Sequence, residues 1–181
     1  YHHANWFFVP DNMYDLPDGP WSCSENSFSE LTAALSGGYL FALSTQSRVE
    51  KQSIPAGGAI RIPPFSRLIG ASHMLNASDE AVVTEMRIEL TTLPADRVLA
   101  SLAPARISYH DLDIRPQGQS SFSTDCLVAD VHEQVMDAPW EYELYYVLSH
   151  YHQLGTYTQL EIVGGARDGE VIFRHDGYGD N

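Results

Sequence analysis

The sequence predicts an all-β sandwich fold, and three observations support this prediction. Most of the chain alternates apolar and polar residues, as a strand with one buried face does. Turn-forming Gly, Pro, Asn and Asp residues separate the alternating stretches. Helix signal is scarce by comparison, so strands packed on strands account for most of the chain.

The predicted strands follow one another along the sequence. The clearest is "AVVTEMRIELTTL" at 81–93, where Val82, Met86, Ile88 and Leu90 share one face. Period-two alternation of this kind indicates a half-buried strand. The other predicted strands span residues 39–47, 58–64, 67–75, 121–129, 142–152, 156–163 and 170–173.

One helix is predicted with both of its ends. In "SFSELTAALSGG", residues 27–38, Ser27 or Ser29 can cap the start, and the two final glycines end it. Its short apolar stripe consists of Leu31, Ala34 and Leu35. Residues 94–102 are predicted to form one or two further helical turns.

A domain boundary is predicted near "DIRPQGQSS", residues 113–121, where Pro, Gly, Gln and Ser gather between two groups of strands. This divides the chain into domains 1–115 and 116–181. The second domain has few strands for a closed sandwich, so we expect it to be incomplete and residues to be missing at its C-terminus. Open strand edges there favour pairing with a second copy or with the missing segment.

Composition excludes some classes of partner. Lys and Arg number 10 against 24 Asp and Glu, which gives a net charge of −14. Such a chain repels polyphosphates, so no nucleic-acid partner is expected. No apolar run reaches the roughly 18 residues that a membrane span needs. An acidic surface of this kind suits a secreted protein. The two cysteines do not fix the compartment, because Cys23 and Cys126 could pair together, pair with residues outside this chain, or stay reduced.

Histidines carry the strongest signal of chemistry. His150 and His152 in "LSHYHQLG" stand one residue apart in a predicted strand, so both rings lie on one face. The ring nitrogens of imidazoles on an otherwise apolar face need hydrogen-bond partners or a metal ion, and a bound metal ion is the most specific explanation. A cupin would add a Glu about four residues after the second His. Here Glu161 is nine residues beyond His152, which argues against that fold.

Three groups of histidines resemble the pattern of the ascorbate-dependent type II copper monooxygenases, the family of peptidylglycine α-hydroxylating and dopamine β-monooxygenases. The family has a His-His doublet, a single His, and a His-x-His pair followed by Leu-Gly. This chain has "YHHANWF", "GASHMLN" and "SHYHQLGTY" in the same order. His3 and His73 are 70 positions apart, and His73 and His150 are 77 apart, which is similar to the family spacing. The sequence looks closer to bacterial relatives than to the animal enzymes.

The resemblance implies two jelly-roll-like sandwiches with two mononuclear copper sites, in an extracellular or periplasmic protein. His2, His3 and His73 would hold an electron-transfer copper. His150 and His152 would hold a catalytic copper, at which O₂ and a reductant such as ascorbate hydroxylate a C–H bond of a small molecule or peptide. Neutral imidazoles suit both oxidation states of copper.

The chain departs from the family at the third ligand of the catalytic copper. The family uses a Met further along the chain, whereas all the methionines here precede His150. The resemblance therefore implies a C-terminal truncation, with Cys126 paired to a downstream cysteine and Cys23 to an upstream one. If the chain is complete, His175 could replace the Met, although a turn histidine is the simpler interpretation.

Two interpretations remain open for the whole chain. The first is a secreted copper monooxygenase, and the second is a non-catalytic copper-binding or structural module on the same scaffold. His110 and His132 match no family ligand, so we expect surface or structural roles for both. Neither interpretation identifies the substrate.

Overall fold

The computed structural model describes residues 3–43, 49–107, 111–137 and 139–177. It is mainly β, with seven strands, two α-helices and two short 3₁₀ turns within those ranges. The chain divides into two compact units, residues 1–105 and 106–181. The predicted domain limits at 115 and 116 stay a prediction. In the described part of the chain no helix is both long and apolar enough to cross a bilayer.

The first unit is built on a three-stranded antiparallel sheet. Strand β1 (His3–Pro10) lies between β2 (Gly38–Leu43) and β4 (Ser66–His73). The alternating stretches at 39–47 and 67–75 predicted the two outer strands, although residues 44–48 lie outside the described ones. Strand β1 was not among the predicted strands. Phe7, Phe8 and Val9 are consecutive and all buried, so this segment has an apolar run instead of the alternation used to predict the other strands.

Strand β1 also supplies the core. Phe7 and Val9 are fully buried, and they pack with buried residues of the first helix and of β4: Ala33, Ile69 and Ala71. Partly buried aromatic rings pack against this cluster. The Phe7 ring lies 4.6 Å from that of Tyr39 and 6.2 Å from that of Phe28.

Helix α1 (Glu30–Ser36) has the predicted ends. The Ser29 hydroxyl accepts a hydrogen bond from the backbone N–H of Thr32 at 3.3 Å, so Ser29 is the N-cap. The glycine at the other end, Gly37, lies so close to β1 that a Cβ there would come within 1.8 Å of the Phe8 carbonyl oxygen. The predicted apolar stripe is wrong in detail, because Ala33 is buried while Leu31 and Leu35 are exposed.

A short parallel pair completes the strands of this unit. Strand β3 (Gly58–Ile60) pairs with β5 (Ala100–Leu102). The helix predicted at 94–102 is a single 3₁₀ turn, Ala95–Arg97, followed by β5. The strand predicted at 81–93 is wrong, since the structure assigns no strand there. Alternation shows that a segment can pair, but a strand forms only where a neighbouring backbone supplies hydrogen bonds.

The second unit contains an antiparallel hairpin of β6 (Tyr157–Glu161) and β7 (Val171–Asp176), which confirms the strands predicted at 156–163 and 170–173. A 3₁₀ turn, Gly165–Arg167, lies between them. Helix α2 (Val128–Met136) begins inside the strand predicted at 121–129, so that prediction is wrong. The valines at 128, 131 and 135 have helical spacing, which the strand interpretation overlooked.

Candidate metal centre

Strand pairing brings two of the predicted copper ligands together. In the ladder between β1 and β4, His3 stands directly opposite His73. Their ring centroids are 4.3 Å apart, with an angle of 26° between the ring planes. The third predicted ligand of this site, His2, lies outside the described residues.

An acidic residue adjoins this pair. The Glu30 Oε1 atom lies 3.6 Å from Nε2 of His73, an ion-pair distance when the imidazole is protonated. The side-chain amide of Asn5 donates a hydrogen bond to the other oxygen, Oε2, at 3.0 Å. Asn5 and His3 are two residues apart on β1, so both side chains stand on one face of that strand. Neither Glu30 nor Asn5 was predicted, since nothing near Glu30 in the sequence links it to the histidines.

The donor types at this site fit copper. Two imidazoles from facing strand positions are ligands that both oxidation states of copper accept. The stacked arrangement requires adjustment, however. The lone pair of an imidazole nitrogen lies in the ring plane, so two nearly parallel rings do not aim at one ion. At least one ring must rotate about its side-chain torsions before His3 and His73 can share a metal.

The second pair also lies close together, but on a different kind of backbone. His150 and His152 have ring centroids 5.3 Å apart, and their planes are nearly perpendicular at 89°. Both side chains are exposed. The strand predicted at 142–152 is wrong, because the described structure assigns no strand to this segment. Extended β pairing therefore does not explain why these two rings are neighbours.

Tyr151, between the two histidines, attaches the segment to the hairpin. Its hydroxyl lies 2.7 Å from Nδ1 of His175 on β7 and also bonds to the backbone carbonyl of Gly177. Desolvation raises the pKa of Tyr151, and the Asp176 carboxylate raises that pKa further, so the phenol keeps its proton at neutral pH. His175 was expected to be a turn histidine, but it lies within strand β7.

Larger ligand sets are absent from the part of the chain that the structure describes. Within residues 3–43, 49–107, 111–137 and 139–177, no group of three or more His, Cys, Asp or Glu is placed to hold a metal ion. Each predicted site is therefore represented by two histidines, with His2 outside this range. Cys23 and Cys126 are both exposed free thiols, so the predicted pairing with cysteines beyond this chain stays a prediction.

His132 belongs to an aromatic cluster on and after helix α2. Its ring lies 5.1 Å from that of Trp140 and 5.4 Å from that of Tyr142, in both cases edge to face. Trp140 and Tyr142 are 4.2 Å apart. Such packing supports the expected structural role of His132. His110, with the same expectation, lies outside the described residues.

Comparison with known proteins gives this chain no family: no family model, no curated protein and no solved structure matches it. The two histidine pairs, together with Glu30 and Tyr151 beside them, are therefore the features on which a function can be proposed.

Proposed function

We propose that this chain is a copper-binding protein of the ascorbate-dependent type II monooxygenase kind, on two jelly-roll-like sandwiches. One observation carries the proposal. His3 and His73 are 70 positions apart in the sequence, yet they are direct partners across β1 and β4. A chance pair of surface histidines has no reason to share a register position, whereas two ligands of one ion do.

Under this proposal each histidine group has its own role. His2, His3 and His73 hold the electron-transfer copper, while His150 and His152 hold the catalytic copper. Bound copper supplies one-electron redox chemistry and activation of O₂ towards a substrate C–H bond, with electrons from ascorbate or a similar reductant.

The protein's own residues then bind and orient. Imidazole nitrogens of His3 and His73 act as ligands in their neutral form, and Asn5 holds the Glu30 carboxylate beside His73. The exposure of His150 and His152 leaves room for a small-molecule or peptide substrate to approach from solvent. An oxidising environment outside the cell or in the periplasm suits this chemistry.

The first test is copper content per chain after reconstitution and desalting, by elemental analysis. We expect about two coppers for the parent protein, and about one for either His73→Ala or His150→Ala, since each removes a ligand from one site only. His132→Ala is the matched control, because its ring packs against Trp140 and Tyr142, and it should leave the copper content unchanged. If His73→Ala leaves the copper content unchanged, the electron-transfer site is wrongly assigned.

Activity forms the second test. With ascorbate present, the copper-loaded parent should consume O₂, and His150→Ala should abolish this consumption while keeping the copper at His3 and His73. Consumption that survives His150→Ala would remove the catalytic role from the second pair.

A non-catalytic copper-binding module is the second candidate, and one observation favours it. His150 and His152 lie on an exposed segment without a strand, and among the described residues no third His, Cys, Asp or Glu completes their site. This candidate predicts copper binding at His3 and His73 without any O₂ consumption that depends on ascorbate.

A further inference from the structure

Tyr151, which lies between the exposed His150 and His152, contacts the end of the β6–β7 hairpin through its hydroxyl. Tyr151 is half-buried, whereas His150 and His152 on either side of it are exposed. Its hydroxyl reaches two groups at the end of β7, Nδ1 of His175 at 2.7 Å and the carbonyl oxygen of Gly177. One side chain thus joins the histidine segment to a regular strand.

The ring of Tyr151 is also closely packed, against the backbone of Gly155. A Cβ added at Gly155 would come within 2.2 Å of the Tyr151 Cδ2 atom, so the ring packs directly against the glycine backbone. The N–H of Gly155 donates a hydrogen bond to the carbonyl of His152 at 2.7 Å, which closes a turn immediately after the histidine pair. The glycine of "HQLG" therefore allows the close approach of the tyrosine ring.

Proton counting assigns the direction of the two hydrogen bonds. A phenol has one proton to donate, and a backbone carbonyl can only accept. The Tyr151 hydroxyl must therefore donate to Gly177, and its oxygen then accepts from His175. Nδ1 of His175 carries the proton in this arrangement, so the lone pair of the neutral ring is on Nε2.

We propose that Tyr151 is a positioning residue, which fixes the His150 and His152 segment on strand β7 and holds His175 in its Nδ1–H form. His175 then acts as the anchor of the histidine segment. The link to copper affinity rests on the proposed function, whereas the hydrogen-bonding arrangement does not.

The hydrogen-bonding arrangement can be tested without any metal. Nitrogen-15 NMR of the imidazole side chains at neutral pH should show His175 protonated at Nδ1 in the parent protein. In Tyr151→Phe, which removes only the hydroxyl, His175 should shift towards the Nε2–H form that free histidine prefers. Tyr145→Phe is the matched control, because its hydroxyl bonds Glu143 at 2.7 Å in the same segment. The inference is overturned if the parent shows Nε2–H or if Tyr151→Phe leaves His175 unchanged.

Copper titration with a competing chelator gives the second readout. Tyr151→Phe should weaken copper at the second pair about tenfold, as loss of an orienting partner commonly does, and leave the first site unchanged. Tyr145→Phe should bind like the parent. If the parent binds two coppers and Tyr151→Phe keeps both affinities, the positioning role is wrong. If the parent binds no copper at the second pair, the proposed function fails there, and the NMR result decides the hydrogen-bonding arrangement independently.

Discussion

At the scale of single residues, individual hydrogen bonds connect polar side chains to the candidate metal-binding histidines and to their neighbours. Asn5 orients Glu30 beside His73, and the Tyr151 hydroxyl joins the histidine segment to β7. Residue types in the sequence indicated the histidines, because imidazole is the commonest protein ligand for metals such as copper. The partners Glu30 and Tyr151 could not be predicted, since each acts on a residue that only the folded backbone brings near.

A bidentate ion pair on the β6 to β7 connection provides a prediction at this scale. The Arg167 guanidinium donates to both carboxylate oxygens of Glu170, each at 2.6 Å. This contact holds the pKa of Glu170 below its ordinary value. Arg167→Gln should let that pKa rise towards the ordinary value, which carbon-13 NMR titration of the Glu170 carboxyl would detect. Arg174→Gln is the control and should leave Glu170 unchanged, because Arg174 pairs with Asp176.

The sign of the pH effect follows from the lowered pKa. The folded state favours ionised Glu170 more than the unfolded chain does, so the pair stabilises the fold at pH values above the unfolded pKa. That contribution is lost as the pH falls from the unfolded pKa through the lowered folded pKa. It should be small, because both side chains are exposed. A Glu170 pKa that is the same in Arg167→Gln and the parent would contradict this account.

At the scale of elements, helix-capping residues predicted structure more reliably than the alternation of apolar and polar residues did. The caps of α1 were correct because a cap depends on residues within one turn, and the alternation at 67–75 and 156–163 was correct because β4 and β6 have neighbouring strands. The same alternation at 81–93 was misleading because no described strand pairs with it. Local patterns thus predicted local structure and could not predict pairing partners.

A stability measurement distinguishes between the two serines that could cap α1. Ser29→Ala should lower the free energy of unfolding by about 1 kcal/mol, because the Thr32 N–H loses its side-chain acceptor. Ser27→Ala serves as the control, since Ser27 is exposed and lies before the cap. Urea unfolding followed by circular dichroism provides both values. Equal effects of the two substitutions would show that Ser29 is not the cap.

At the scale of the whole molecule, the buried hydrophobic residues among those that the structure describes are few and lie in the first unit. Its members come from β1, α1 and β4, and the largest fully buried side chains are Phe7 and Val9. This core holds β1 against β4, and it thereby holds His3 opposite His73. The mainly-β character of the chain was predictable from composition and alternation, whereas this arrangement of the sheet was not.

Truncation of the central core residue tests that dependence. Phe7→Ala should lower the free energy of unfolding by about 3–5 kcal/mol, because it removes a fully buried ring and leaves a cavity. Phe65→Ala is the matched control, since its ring is 82% exposed and its loss should cost little. Urea unfolding followed by tryptophan fluorescence would report on Trp6 and Trp21 in this unit. A small effect of Phe7→Ala would mean that the sheet does not depend on this core.

Residue types and local patterns were enough to predict the strand-rich character of the chain, the ends of α1 and the histidines that could bind a metal. These features depend on residue type and on neighbours a few positions away, which any reader of the sequence can see. Three features could be seen only in the folded chain: β1 is the central strand, His3 faces His73 beside Glu30, and the Tyr151 hydroxyl bonds to His175 on β7. Such contacts join residues that are distant along the chain, and their register is set by the packing of Phe7 and its neighbours as a group.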